Sequence, residues 1–421
     1  MLTSWSKRMG RGDKKRTDKL EKRLAFILSG TLTRELQEEA SAIRKELEAI
    51  AAHEETKWRQ RSKDLWLKEG DRNTSFFHRR ASKRFQHNII RRIKNSNGVW
   101  VADDEGIQGC IQTYFRGVFA SGRPRTEDIE RGTAQLRRVV DPSMADELTL
   151  PYSEAEVTKA LFQMASLKSP GPDGSFPQLN LPFVPGRLIS DNILLAFEIN
   201  HFLNTKANSR QGYMELKLDV SKAYDKVEWA FLEQVLFKLG FPLPFIRLVM
   251  LCVSSVSYSF LLGGKHFGSL TLERGLRQGD PLSPYLFLLF TEAFSSLLQK
   301  AETEGRLCGI PVCRGAPSIS HLLFADDTLI FSEASGESVH TILEVLELYR
   351  RASGQEINFS KSSVAFSKNM SETECQAITN DLHIRRENKM ALYLGLPSVV
   401  ARSKRELFAV IRDKIWSRIN G

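Results

Sequence analysis

Between Met214 and Val220 apolar and polar side chains alternate strictly. Met214, Leu216, Leu218 and Val220 fall on one side, and Glu215, Lys217 and Asp219 on the other. A period of two is the mark of a strand with one face turned inward. It leaves Asp219 at the strand's C-terminal end, on the polar face. The period then changes. Val227, Phe231, Leu232, Val235 and Leu236 recur at helical spacing, and Gly240 follows as a helix terminator. Asp225 and Glu228 have the spacing of a capping box, with Asp in place of Ser or Thr. Further on, HLLFADDTLIFS (321–332) sets two apolar runs around Asp326 and Asp327, the pattern of a β-hairpin with a tight turn. In GLRQGDPLSPYLFLLF (275–290), Gly275 and Gly279 permit close backbone approach, and Ser283 and Pro284 open an apolar helix. The helices expected in this half include 228–239 and 284–302.

Upstream, residues 17–68 read as helix. Leu20, Leu24, Ile27, Leu32, Leu36, Ile43, Leu47 and Ile50 recur among Glu, Lys and Arg, interrupted only by Gly30. The loose spacing of three to four suits a helical hairpin or a coiled-coil arm. Residues 121–150 look like a linker, with Gly122, Pro124 and mixed charge. The segment SLKSPGPDGSFPQLNLPFVPGR (166–187) contains five prolines and is turn-rich. From Leu188 onward the chain reads as compact α/β, and no internal repeat is visible.

At 421 residues, with 42% hydrophobic and 26% charged content, the chain has the composition of a globular protein able to bury a sizeable core. Its longest apolar runs, such as Tyr285 to Phe290, are too short to span a bilayer. The N-terminal MLTSWSKRMGRGDKKR lacks the apolar core of a secretory signal, which places the chain inside the cell, in nucleus or cytoplasm, and not secreted. Five cysteines form no disulfide ladder, and Cys308 and Cys313 lack a second pair to complete a zinc site.

Charge changes the picture more than composition does. The chain carries net +10, and residues 57–94 account for all of it, with 13 Lys/Arg against Asp64, Glu69 and Asp71. Trp58, Trp66, Phe76, Phe77 and Phe85 are interleaved with those cations. Lys and Arg neutralise phosphates and aromatic faces stack on unpaired bases, so this segment is the candidate nucleic-acid contact. Its candidate residues are Lys57, Arg59, Arg61, Arg79, Arg80, Lys83 and Arg84. The competing reading is a solvated amphipathic helix with its aromatics packed inward.

The candidate chemistry lies in the carboxylates. An aspartate at a strand end or in a turn is ordinary. Two adjacent carboxylates between strongly apolar runs repel each other, and a bound cation relieves that cost. If the strand ending at Asp219 neighbours the 321–332 hairpin, the carboxylates meet. Such a group can hold two divalent ions about 3.5–4 Å apart, as polymerases do.

The order of motifs is more specific than any one of them. A strand with Asp219, a turn to Tyr224–Asp225, then RQGDPLSP and then FADD resembles the palm of reverse transcriptases, most closely those of plant-type non-LTR (LINE-like) retrotransposons. Further segments match in order: KSPGPDG (168–174) and FVPGRLISDNILLAFE (183–198) resemble the fingers side, SGQEINFSKS (353–362) the stretch after the catalytic hairpin, and LYLGLP (392–397) the primer grip. WRQRSKDLWLKEGDRNTSFFH (58–78) resembles the linker upstream of the polymerase in such elements. The resemblance implies an α+β right-hand polymerase palm, an antiparallel sheet backed by helices, with partial fingers and thumb and a long helical arm before it. The implied layout is an arm and basic region at 1–120, a linker and truncated fingers segment at 121–182, palm and start of thumb at 183–398, and a truncated C-terminal helix at 399–421. It implies an RNA-directed DNA polymerase acting on an RNA template, a DNA primer and deoxynucleoside triphosphates. Asp219, Asp326 and Asp327 would hold two Mg2+ (or Mn2+) ions. Tyr224 would be the steric gate against a ribose 2′-OH, Gln278 and Gly279 would touch nucleotide and template, and Lys361 would donate a proton to the leaving pyrophosphate.

The resemblance breaks at one place. The family carries a long fingers segment between the KSPGPDG and FVPGR motifs, whereas only 12 residues (Ser175 to Gly186) separate Gly174 from Arg187 here, none of them Lys or Arg. That reads as an internal deletion, which predicts a weak or inactive polymerase. The alternative function is a non-catalytic RNA-binding remnant of the same element. In either case RNA affinity should depend strongly on salt. Neutralising Arg59, Arg61, Arg79, Arg80 and Lys83 together should weaken binding and flatten the slope of log K against log salt. An unchanged slope, read by fluorescence anisotropy across a salt series, would mean that these charges contact no phosphate.

Overall fold

The computed structural model describes residues 16–27, 36, 38–50, 82–83, 86, 89–162, 189–205, 210–263, 265–311, 315, 317–324, 327–386, 392–393, 396–397, 412–413 and 415–416. They form two compact units. One comprises 1–107 with 261–267, the other 108–260 with 268–421.

In the first unit residues 16–27 and 38–50 are helical. Arg16 pairs with Glu46 and Arg23 with Glu39, so the ion-paired positions converge along the chain and the helices run antiparallel. Ile27, Ala40 and Ile43 are buried between them, with Leu20, Leu24, Leu36 and Leu47 packed around. This is the hairpin form of the expected arm. Beyond it, Ile93–Lys94 pairs antiparallel with Trp100–Val101. There the Arg92 guanidinium lies 4.4 Å and the Lys94 ammonium 5.2 Å from the Trp100 ring centre. Residues 28–35, 37 and 51–68 of the expected arm lie outside the described residues.

The second unit is built on a five-stranded sheet of β1 (Tyr213–Asp219), β2 (His321–Phe324), β3 (Asp327–Glu333), β4 (Ser363–Phe366) and β5 (Arg385–Arg386). Its order is β5-β4-β1-β3-β2. All pairs are antiparallel except β4 with β5, so the expected antiparallel sheet gains one parallel edge. On one face Met214, Leu216, Leu218 and Ile330 join a core with Phe231 and Phe290, both fully buried. That core is closed by α4 (Trp229–Leu239), α6 (Ser283–Thr303) and α7 (Gly336–Ser353), which are introduced by α1 (Asp104–Phe119), α2 (Thr126–Thr133) and α3 (Ile189–Thr205) and separated by α5 (Leu243–Ser254). Gly240 ends α4 in the left-handed region (φ +95°), and Pro284 stands in the first turn of α6, as the sequence implies.

Two expectations change. Residues 121–150 are no simple linker. They contain α2 and a helix at Pro142–Glu147, and α2 buries Ile129 and Thr133. Its eight residues are too few for a periodic pattern to stand out. The polar face of β1 is also covered. Ala196, Ile199 and Leu203 of α3 pack with Tyr213, Leu329 and Phe331 on the opposite side of the sheet. Glu215 is consequently 4% exposed, and its carboxylate accepts from Asn200 Nδ2 at 2.8 Å. Burial raises its pKa from 4.5 to about 7, against the opposing effects of the Asn200 hydrogen bond and Lys217.

The sign of this effect is testable. Between pH 4.5 and about 7 the folded chain keeps a proton on Glu215 that the unfolded chain has lost, so this group's contribution to stability falls as pH rises through that window. Glu215→Gln keeps an oxygen for Asn200 and removes the titration. Thermal melts should show the variant gaining on the parent as pH rises from 5 to 8, by at most about 3 kcal/mol. A pH-independent difference would mean that Glu215 is not protonated in the fold.

Candidate active site

Asp219 closes β1 and Asp327 opens β3, and the two are directly opposed in the antiparallel register. Opposed residues on such a pair point to the same face with Cβ atoms about 4.5–5.5 Å apart. The chain therefore brings together two carboxylates more than a hundred residues apart in sequence. Phe324 pairs with Asp327, so β2 and β3 are antiparallel neighbours as expected of the FADD motif. Ala325 and Asp326 lie outside the described residues.

The backbone on either side of Asp219 is fixed from a third direction. Its N–H donates to Ser362 Oγ at 3.1 Å, and its carbonyl accepts from the Asn358 N–H at 2.8 Å. Ser362 Oγ in turn donates to the Asn358 carbonyl at 2.9 Å. Val220 bridges to Ile357, Ser221 N–H donates to the Glu356 carbonyl at 2.8 Å, and Gln355 Nε2 donates to the Ala223 carbonyl at 3.0 Å. Residues 219–223 are thus laced to residues 355–362. That lacing brings Lys361 Nζ within 4.0 Å of Asp219 Oδ2, with the ammonium side chain 70% exposed. Asn358, Ser362 and Gln355 carry no signal of their own in the sequence, since small polar residues in a loop are ordinary. Only the likeness of the whole 353–362 segment marks them.

Tyr224 is half-buried and stacks on Phe287 of α6, centroids 4.6 Å apart at 14°. Its carbonyl accepts from the Leu276 N–H at 2.7 Å, which ties it to the loop bearing Gln278 and Gly279. Both of those are exposed, and Gly279 has φ +89°. Lys222 takes φ +54° and holds its ammonium 4.4 Å from the Tyr114 ring centre of α1. Burial raises the Asp225 pKa, partly offset by Lys222. Burial raises Tyr258 as well, with Asp225 and Asp280 adding to it and Arg277 opposing.

The capping box expected at Asp225–Glu228 does not form. Helix α4 begins at Trp229, and its N-cap Glu228 makes no side-chain cap hydrogen bond. The Glu228 carboxylate turns inward to Ser121, Gly122 and Arg274 instead. Of the candidate nucleic-acid residues only Lys83 is described, as an exposed helical residue; Lys57, Arg59, Arg61, Arg79, Arg80 and Arg84 lie outside the described residues. Among the described residues no three His, Cys, Asp or Glu side chains cluster as metal ligands, and no helix is long and apolar enough to cross a membrane.

Over residues 159–397, more than half of the chain, the sequence matches the family described as reverse transcriptase (RNA-dependent DNA polymerase). An uncharacterized mitochondrial protein of Arabidopsis thaliana is 58% identical over 69 residues, 16% of this chain and 57% of that protein. The transposon TX1 uncharacterized 149 kDa protein of Xenopus laevis is 30% identical over 213 residues, 51% of this chain and 15% of that protein. The retrovirus-related Pol polyprotein of the type-1 retrotransposable element R2 from Popillia japonica is 27% identical over 175 residues, 41% of this chain and 24% of that protein. A solved telomerase from Candida tropicalis, in complex with a fragment of telomeric RNA, aligns with TM-score 0.32 at 11% identity over 82% of this chain and 53% of its own. The chain spans 57% or less of the length of each of these proteins. It belongs to the reverse transcriptase (RNA-dependent DNA polymerase) family, and its domain is of the LINE-like, non-LTR retrotransposon kind.

Proposed function

We propose that this domain extends a DNA primer on an RNA template by two-metal nucleotidyl transfer from deoxynucleoside triphosphates. The observation that carries the reading is the register that opposes Asp219 to Asp327. The donor set fits the ions. Carboxylate oxygens are hard ligands suited to Mg2+ or Mn2+, and Asp219, 40% exposed, is open to solvent with a lysine ammonium at 4.0 Å. Asp219, Asp326 and Asp327 would hold the ions. When bound, two such ions activate a primer 3′-OH and stabilise the leaving oxygens.

The protein's own part is positioning. Lacing by residues 355–362 holds the Asp219 main chain still, so its carboxylate needs little reorganisation on binding charge. Tyr224, braced by Phe287, serves as a wall against a 2′-OH. Gln278 and Gly279, exposed on a loop hydrogen-bonded to Tyr224, are placed to meet nucleotide and template. Lys361 serves as proton donor to the leaving pyrophosphate. The basic segment holds RNA.

The short link between Gly174 and Arg187 favours a second reading, a polymerase fold that retains RNA binding and has lost catalysis. A triphosphate brings more charge than two divalent ions neutralise, and the remainder requires positioned cations. Residues 175–186 offer no Lys or Arg.

Primer extension on poly(rA) or a defined RNA decides between them. The unmodified chain should extend slowly, and restoring a family-like fingers segment should raise the rate at low nucleotide concentration. Equal rates would show that the missing segment is dispensable. Asp326→Asn should abolish extension while RNA binding stays intact; persistence of activity would remove the aspartates from catalysis. Tyr224→Ala should increase ribonucleotide incorporation relative to deoxyribonucleotide, and unchanged sugar selectivity would take Tyr224 out of the gate role.

A further inference from the structure

The Glu228 carboxylate is 3% exposed and is bound on three sides. Ser121 Oγ donates to one oxygen at 2.7 Å; Gly122 N–H at 2.8 Å and Arg274 Nη1 at 3.1 Å donate to the other. Arg274, itself only 11% exposed, also donates through Nε to the Val118 carbonyl at 2.9 Å. A buried charge is tolerated only when its partners are in place, and removing one partner costs far more than the pair contributes. Both ends of this pair belong to segments with a further connection. Glu273 N–H donates to the Phe119 carbonyl, and Ser121 N–H donates to the Glu273 carboxylate, each at 3.1 Å. The residues at the end of α1 and the residues at 273–274 are therefore joined by main chain, side chain and buried charge.

The same short loop is held from its other side. Gly275 N–H donates to the Val227 carbonyl at 2.8 Å, Leu276 N–H to the Tyr224 carbonyl at 2.7 Å, and Trp229 Nε1 to the Gly275 carbonyl at 2.8 Å. Gly275 has φ +99°, and a Cβ there would lie 2.8 Å from the Asp225 carbonyl oxygen, so the approach is as close as backbone permits. Leu276 is separated from the exposed Gln278 and Gly279 by Arg277 alone. Glu228, next to Trp229, thus stands where three segments meet: the end of α1, the Tyr224 turn, and the loop that leads into Gln278 and Gly279.

Resting on the polymerase reading above, we propose that Glu228 is a positioning residue for the nucleotide subsite: through Arg274 it latches the 273–276 loop to residues 118–122, and so sets where Gln278 and Gly279 stand relative to Tyr224. A helix start needs no such carboxylate, because an N-cap side chain at the surface would serve. The inward turn of Glu228 leaves α4 without that cap, which shows which of the two demands prevails. The segment before the sequence motifs of the palm thereby becomes part of the nucleotide subsite without touching the nucleotide.

The test uses the full chain and Glu228→Gln, which keeps the shape and removes the charge. Amide hydrogen exchange should accelerate about tenfold or more at Gly275 and Leu276, with the β1 and β3 amides unchanged. In primer extension the KM for nucleotide should rise about tenfold with kcat changed less than about threefold, the split expected of lost binding geometry. Ser121→Ala removes one donor without stranding the arginine and should give smaller shifts of the same sign, which keeps the test open if Glu228→Gln fails to fold. Arg274→Lys should restore part of the protection lost in Arg274→Gln. Unchanged exchange at 275–276 in the folded variants, or a fall in kcat with KM untouched, would overturn the proposal. If the unmodified chain extends no faster than Asp326→Asn, the polymerase reading fails, while the exchange measurement still decides whether the latch exists.

Discussion

The pairing of β1 with β3 is the constraint on which the rest depends. It is the interaction that brings Asp219 opposite Asp327, and every other feature of the site is arranged around the end of that pair. Closing a loop of that length carries an entropic cost that grows only slowly with length, but it must be met by contacts that form with it. The sheet meets it by burial on both faces. Met214, Leu216 and Ile330 pack toward α4, α6 and α7, and Leu329 and Phe331 toward α3. A slip of one residue would exchange those faces and place each apolar side chain in the wrong core. The register, and with it the carboxylate pair, is therefore specified by packing some distance from the chemistry.

Covering both faces has an electrostatic consequence. Polar side chains on the covered strands become buried and need partners. Glu215 finds Asn200, while burial pushes its pKa up to about 7. His321, on β2, accepts burial in the neutral direction: its pKa is lowered, and its ring nitrogens meet Ser295 Oγ at 2.7 Å and Ser320 Oγ at 3.0 Å. Glu228, at the N-cap of α4 and on no strand, is paired with the Arg274 guanidinium. At the C-terminal end of β1, Asp219 is 40% exposed.

Much of this was legible in the sequence where one physical signal acted alone. Period-two alternation identified β1, the apolar runs around FADD identified the hairpin, and Gly240 and Pro284 marked helix ends because their backbone preferences are strong. Reading failed where a residue answered to a distant partner. Glu215 fits an exposed strand face by alternation, and nothing local announces that α3 lies over it. Glu228 has capping-box spacing, yet Arg274 and the 121–122 turn draw it inward. Helix α2 was hidden because two turns cannot show a period. Ser362 and Asn358 fix the Asp219 backbone through groups that every loop possesses, so only the likeness of a longer segment indicated them.

The central claim is that Asp219 and Asp327 act as parts of one cation site created by strand pairing. Titration of the full chain with Mn2+, followed by electron paramagnetic resonance, measures this without requiring turnover. The account predicts that Asp219→Asn and Asp327→Asn each lose most of the bound Mn2+, and that the double substitution loses little more than either, as expected for ligands that share an ion. Undiminished binding in both single variants, or losses that simply add, would contradict it.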